Sequence, residues 1–512
     1  MAEAAISQPT LAVRHKGLLT AAIMLAMLMQ VLDTTIANVA LPHMRASLSA
    51  SQEEINWVLT SYIVAAAIAT PLTGWLSDRL GRKTLLLGAI GGFTAASLLC
   101  GMATSLPQMV VYRVIQGVCG AVLAPLAQAI MLDINPREKI GQAMALFGAG
   151  IMVGPIIGPT LGGWLTETFN WRSVFLVNLP VGGLAFAALV FFMPHEGTAR
   201  RRFDMFGFAM LAAAVASAQL ILDRGQGVGW FESTEIWVYA GLLVSSMWIF
   251  VVHCATARDP FIDLAMFKDR NFTSGVIFIF IIGITTFSGL ALLPPLLQNL
   301  MGYPVIDTGI VMAPRGVGTM ISMIVVGRLV SKVDPRVLVL SGLAISAWSL
   351  WLMTGFDLAM GTWLIEYSGF LQGIGLGLVF VPLSTLAFAT IPSHFRVDAT
   401  AMFSLVRNVG SGVGISLVTA VLAHMMQVNT SELASRVTIE AGPIRDLPGM
   451  LSGVPMIIAQ ISGLVQQQAA MIAYLDDFWL MVLVTLASAP IVLMLRKPQA
   501  VAKPDPAHAM AE

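Results

Sequence analysis

Apolar residues run in long blocks along this chain, broken by short polar segments, with little of the two-residue alternation of a half-buried strand. A helix needs about 20 mostly apolar residues to cross the hydrocarbon core of a bilayer. Blocks of that length fall near 18–41, 55–76, 84–104, 107–131, 141–165 and 173–193, then 204–223 and 236–255. Six more fall near 272–297, 306–330, 337–356, 364–389, 399–426 and 478–496. The pattern predicts an all-α integral membrane protein with fourteen transmembrane helices. A further apolar run, 454–475, carries Gln466, Gln467 and Gln468, and it reads as an interfacial or periplasmic helix rather than a crossing.

Charge sets the orientation. With the N-terminus inside, twenty of the 28 Lys and Arg residues fall on inner segments, among them Arg200, Arg201, Arg496, Lys497 and Lys503. Five (Arg45, Arg172, Arg224, Arg436 and Arg445) fall on outer ones. Positive charge stays on the cytoplasmic side, so both termini are expected in the cytoplasm and the number of spans must be even. The remaining three, Arg113, Arg315 and Arg407, lie within spans.

Composition agrees with a lipid-solvated surface. Charged residues are 11% of the chain and hydrophobic ones 57%, with a mean hydropathy of +0.82, against roughly 25% charged in a soluble domain. Lys+Arg and Asp+Glu balance at 28 each, so no basic excess exists to neutralise a nucleic acid. Cys100, Cys119 and Cys254 lie in apolar runs without metal-ligand spacing. No metal site, cofactor or nucleophile constellation is expected, and the chain does not read as an enzyme.

Three segment pairs match in order. Gly74 to Lys83 after span 2 faces Gly327 to Arg336 after span 10, at an offset of 253 residues. Gln116-Gly117 and Pro125 in span 4 face Gln372-Gly373 and Pro382 in span 12, and Ala143-Met144 in span 5 faces Ala401-Met402 in span 13. The pattern predicts an N-terminal six-helix half (1–195), two inserted helices with their linkers (196–270) and a C-terminal six-helix half (271–512) with a periplasmic loop at 427–477. Parallel repeats of this kind place a substrate site between the halves near the midplane.

Polar groups in a span cost about 2.5–3.5 kcal/mol for a centred charge, so those present need a reason. Gln30, Asp33, Thr34 and Asn38 share one arc of span 1 at 100° per residue, which must face a cavity or a partner helix. Arg113, Gln116, Gly117, Gly120, Ala124 and Gln128 share a face of span 4, and Arg113 is the expected partner of the Asp33 region. Ser404, Arg407, Asn408 and Ser411 line a face of span 13, and Arg315 stands beside Pro314 in span 10. Asp33 reads as a proton- or substrate-handling carboxyl, against the plainer role of a carboxylate that ties two helices together. Against these three cations it is the one clearly deep acid in the sequence, so a cavity with surplus positive charge would suit anionic or weakly acidic solutes. In span 5, Gly150, Gly154, Gly158 and Gly162 recur every four residues with Pro155 and Pro159 between them. That stripe permits close helix approach. Between spans 2 and 3, Asp78, Arg79, Gly81, Arg82 and Lys83 form a short charged loop suited both to topology control and to a charge latch between helix ends. Gly373, Gly375, Gly377, Gly410, Gly412 and Gly414 mimic dinucleotide-loop spacing, but they follow no strand and lie mid-bilayer.

These segments resemble the major facilitator superfamily, and within it the fourteen-span drug:proton antiporters of the EmrB/QacA type. The loop with Gly74, Asp78, Arg79, Gly81, Arg82 and Lys83 is similar to the superfamily's loop motif, and Arg113 with Gln116-Gly117 to its span-4 motif. Gly154 to Gly163 is similar to the antiporter motif, with Ala145 standing where that motif usually has an earlier glycine. The stretch from Leu32 to Pro42 is similar to the fourteen-span family's span-1 motif, and Asn178 to Pro180 adds to the match. The resemblance implies a major facilitator fold and export of small hydrophobic or weakly acidic compounds in exchange for protons. It implies no cofactor beyond the proton gradient. It also implies partnership with a periplasmic membrane-fusion adaptor and an outer-membrane channel, with loop 427–477 as a contact surface. Two other readings stay open on residues alone: a proton-coupled importer on the same fold, and a membrane scaffold or sensor with no transport cycle.

Overall fold

A computed structural model describes residues 11, 13–195, 197–198, 202–436 and 455–494. Arg200, Arg201, Arg445, Arg496, Lys497, Lys503 and residues 437–454 of the expected loop 427–477 lie outside the described residues. Among the described residues the structure is helical throughout, with no strand. Among those residues, thirteen helices are long and apolar enough to cross a membrane, and a bent pair counted as one span makes fourteen.

The first six spans are Lys16–Ser47, the pair Trp57–Ala69 with Leu72–Leu80, Arg82–Met102, Leu106–Asp133, Ile140–Thr168 and Ser173–Phe192. Met205–Arg224 and Thr234–Thr256 are spans 7 and 8. Spans 9 to 12 are Arg270–Leu300, Val305–Leu329, Pro335–Met353 and Thr362–Ala389. Arg396–Arg436 and Pro455–Ala487 complete the set.

Three elements differ from the hydropathy reading. Span 2 is bent by 61° between its two segments. Pro71 sits at the break, where a ring without an N–H removes a helix hydrogen bond. The run 454–475 is not a separate interfacial helix: from Pro455 it is continuous with the last crossing, in one helix of 33 residues. Span 13 likewise runs 41 residues and takes in 427–436. At about 1.5 Å per residue these helices measure roughly 50 and 60 Å, against about 30 Å of hydrocarbon. Spans 13 and 14 therefore extend past the membrane together, packed against one another.

Span 5 packs along span 1 on its glycine stripe. A Cβ built on Gly154 would lie 2.5 Å from Val31 Cγ1, and one on Gly158 2.2 Å from Thr35 Oγ1. The helix stays continuous through Pro155 and Pro159. Its other side packs along span 10 and span 12, joining the first six spans to the last six. Span 13 packs on spans 2 and 4 in the same manner, and span 7 touches both span 2 and span 13 at that seam. Span 8 is outermost, with Val244 and Trp248 exposed for lipid contact. The glycines of spans 12 and 13 are packing residues: Gly373 lies against the Arg315 carbonyl and Gly410 against the Phe280 carbonyl.

Candidate functional site

Asp33 is buried inside the first six spans, and each of its oxygens is occupied. Arg113 Nη1 donates to Oδ2 at 2.7 Å, while Gln116 Nε2 and Asn178 Nδ2 donate to Oδ1 at 2.8 Å each. The spacing of 113 and 116 on one helix face puts both side chains of span 4 over span 1. Arg113 is itself held: Nε donates to the Val58 carbonyl at 3.0 Å, and Nη1 also reaches Gln116 Oε1 at 2.8 Å. Its guanidinium carbon stands 4.4 Å from the Tyr62 ring centre, a favourable cation–π distance. Asn178 is fixed by a second donation to Ser97 Oγ at 2.9 Å. Spans 4 and 6 donate to the carboxylate of span 1, and spans 2 and 3 hold the donors.

The remaining sequence candidates divide. Gln30 lies one turn from Asp33 with its Oε1 buried and unpartnered. Thr34 Oγ1 turns back to the Val31 carbonyl of its own helix at 2.9 Å, and Asn38 is exposed. The shared arc of span 1 is therefore split, because the carboxylate of Asp33 is drawn into the spans 3, 4 and 6 side. Arg407 and Asn408 lie in span 13, with Arg407 half-buried, its Nε unpartnered, and Asn408 exposed. They do not join the Asp33 cluster. Arg315 is buried in span 10; its Nη2 caps the Thr286 carbonyl of span 9 at 3.0 Å, and its Nη1 has no partner.

The charged loop after span 2 is mostly helix. Asp78 and Arg79 close the second segment of span 2, Arg82 and Lys83 open span 3, and Gly81 alone breaks the chain. Its φ of +79° and ψ of 147° is a conformation glycine adopts freely. Arg82 of span 3 and Arg396 of span 13 both pair with Asp133 at the end of span 4, and Asp398 lies against Gly74. Lys83 Nζ donates to the Val190 carbonyl of span 6 at 2.8 Å. One acid thus clamps the first six spans to span 13 on this face.

Sequence reasoning missed four of these groups. Asn178 stood in a recognised segment but without a stated role. Asp133 falls just past the predicted block 107–131, and Arg396 falls between the predicted blocks 364–389 and 399–426. Asp477 of span 14 is fully buried with neither carboxylate oxygen partnered. It fell between the predicted run 454–475 and the predicted span 478–496, so its depth was hidden, and Asp33 is not the one deep acid.

Residues 23–415 match the model of the Major Facilitator Superfamily. The chain belongs to the major facilitator superfamily. It is 33% identical over 470 residues to the multidrug export protein EmrB of Escherichia coli K12, covering 90% of this chain and 92% of EmrB. It is 32% identical over 481 residues to the fatty acid resistance protein FarB of Neisseria gonorrhoeae, covering 93% and 95%. Among solved structures, the human organic anion transporter MFSD10 superposes with a TM-score of 0.59 at 15% identity, covering 91% and 99%. That last likeness concerns the fold alone. Membership in this superfamily, with multidrug exporters as relatives, makes the chain a multi-pass membrane transporter of the multidrug-efflux kind and not an enzyme.

Proposed function

We propose that this major facilitator is a proton-coupled antiporter of the inner membrane, exporting hydrophobic and weakly acidic toxic compounds by alternating access. Two six-span halves, 1–195 and 271–512, rock about a central path, with the inserted spans of 196–270 at one seam. Both termini face the cytoplasm. The observation that carries the reading is the sealed cluster of Asp33, Arg113, Gln116 and Asn178. A carboxylate held by one cation and two amides, drawn from separate helices, changes its proton affinity when those helices part. Removing one partner from a buried pair costs about 3–5 kcal/mol, so the cluster can tie protonation of Asp33 to helix movement. The clamp of Arg82, Asp133 and Arg396 supplies a second contact for the cycle to break. FarB's name supports acids among the compounds carried.

In a tripartite reading, the joint extension of spans 13 and 14 past the membrane is the surface for a periplasmic adaptor that leads to an outer-membrane channel. No cofactor is required, because the proton gradient drives the cycle.

The decisive experiment is substrate-induced proton movement in proteoliposomes, comparing wild type with Asp33→Asn. Wild-type protein is expected to release protons on drug addition and the variant to release none. Equal signals from both would remove Asp33 from the coupling mechanism. Absence of signal from wild type across hydrophobic and acidic compounds would remove antiport.

A further inference from the structure

Inside spans 9–14 lies a cavity of about 30 Å³, lined by Thr286 of span 9, Arg315 of span 10, Ser346 of span 11, Gln372 of span 12 and Thr485 of span 14. The Asp33 cluster draws on spans 1, 2, 3, 4 and 6. Under the internal repeat these are the same five positions. Gln372 is the counterpart of Gln116, and the offset of 253 residues between the two loop segments carries Asp33 onto Thr286.

One group is missing from the second copy. Where the first has a carboxylate, the second has a threonine and a cavity large enough for about two waters or one small anionic group. Arg315 is 7% exposed. Its Nη1 is buried without a partner, and so is Gln372 Oε1. The two side chains adjoin: a Cβ built on Gly289 would lie 3.3 Å from both Arg315 Nη1 and Gln372 Nε2. A buried guanidinium without an acid is costly, and a donor left unmade in a low-dielectric interior adds to that cost.

We propose that Arg315 and Gln372 form a subsite for the carboxylate of an exported acid, the ligand supplying the acid that Asp33 supplies in the first half. This deepens the export reading, on which it rests, by giving the acid group of its substrates a place. Arg315 Nη1 donates to one carboxylate oxygen. The Gln372 amide, whose oxygen and nitrogen exchange by rotation, turns its N–H to the other. Planar guanidinium is the side chain best matched to a carboxylate. Leu350 and Leu376 belong to the apolar part of the cavity wall. Chloride shares the compact negative charge and is the competing occupant.

The test is equilibrium binding of radiolabelled laurate to the purified full-length protein in detergent and chloride-free sulfate buffer. Wild type is expected to bind laurate, with dodecanol failing to compete. Arg315→Gln is expected to weaken binding by about 10-fold or more, the loss of one charged hydrogen bond. Thr286→Asp places an acid beside Arg315, as in the first half, and is expected to weaken binding equally. It keeps the test standing if Arg315→Gln does not fold. No laurate binding to wild type, unchanged binding in the variants, or equal competition by dodecanol would each overturn the subsite. Displacement of laurate by an equal concentration of chloride would assign the cavity to an inorganic anion and overturn it too. The readout needs no proton gradient. Laurate binding that depends on Arg315 in a protein that moves no protons removes antiport alone; proton-coupled export with laurate binding indifferent to both variants removes the subsite alone.

Discussion

Arg113 in the first six spans is enclosed by an acid, two carbonyl acceptors and an aromatic face, whereas Arg315 in the last six has one backbone carbonyl and an unpartnered Nη1. Both are buried, one among the first six spans and one among the last six. The first half therefore contains a completed ion pair, whose components support one another. The second contains a charge whose desolvation is uncompensated within the described residues. Apolar helix packing leaves each set of six spans free to place its charges differently.

The largest expected effect strikes at that contrast. Arg113→Ala leaves Asp33 buried and unpaired, and it is expected to destabilise the protein by about 3–5 kcal/mol. Arg315→Leu removes a charge that had no acid and is expected to be neutral or stabilising. Thermal unfolding in detergent, followed by tryptophan fluorescence, compares them. Equal losses from both variants would show that the two arginines are equally paired.

A smaller effect concerns how each half brings its helices together. On Gly154 a new Cβ meets the Val31 side chain first, whereas on Gly410 it meets the Phe280 carbonyl at 2.3 Å, with the Phe280 backbone behind it. Side chains can turn away, but backbone cannot. Gly410→Ala is expected to cost about 1–3 kcal/mol, within the range of overpacked cores, and Gly154→Ala less. The same unfolding assay ranks them, and a larger loss at Gly154 would reverse the comparison.

The smallest expected effect lies in the inserted helices. Asp204 precedes span 7 and accepts from the backbone N–H of Gly207 and Phe261 and from His253 Nε2, each at 2.9 Å. Partial burial opposes ionisation of this carboxyl, but the Gly207, His253 and Phe261 contacts outweigh it and hold the group below its ordinary value of 3.8. A depressed folded-state value means stability that is present above the unfolded value and is lost as pH falls through the folded one. Melting temperature is therefore expected to fall below about pH 4, with a shallower fall in Asp204→Asn. Superimposable pH profiles would remove Asp204 from the account, leaving the acid sensitivity to the bundles on either side.

Much of the candidate site was legible because insertion is costly. Asp33, Arg113 and Gln116 stood out as polar residues within apolar blocks, and helical spacing put Arg113 and Gln116 on one face. Asn178 lacked that visibility, since it starts a helix close to an expected loop. Thr34 and Asn38 shared the arc of Asp33, yet a threonine can satisfy itself on its own helix and an arc is wide enough to border two neighbours. The break in span 2 was marked by Pro71, although hydropathy reads straight through a bend.

The chain by itself determined that there are fourteen crossings and which residues had to be shielded from lipid, because both follow from transfer energies that depend on local composition. Only tertiary structure decided that Asp33 has three partners and Arg315 no acid among the described residues, that Asp133 joins Arg82 to Arg396, and that the last apolar run continues span 14. Those outcomes depend on which helices meet and at what rotation. Apolar packing of glycines against neighbouring helices sets both, and no pattern along one helix encodes the partner's angle.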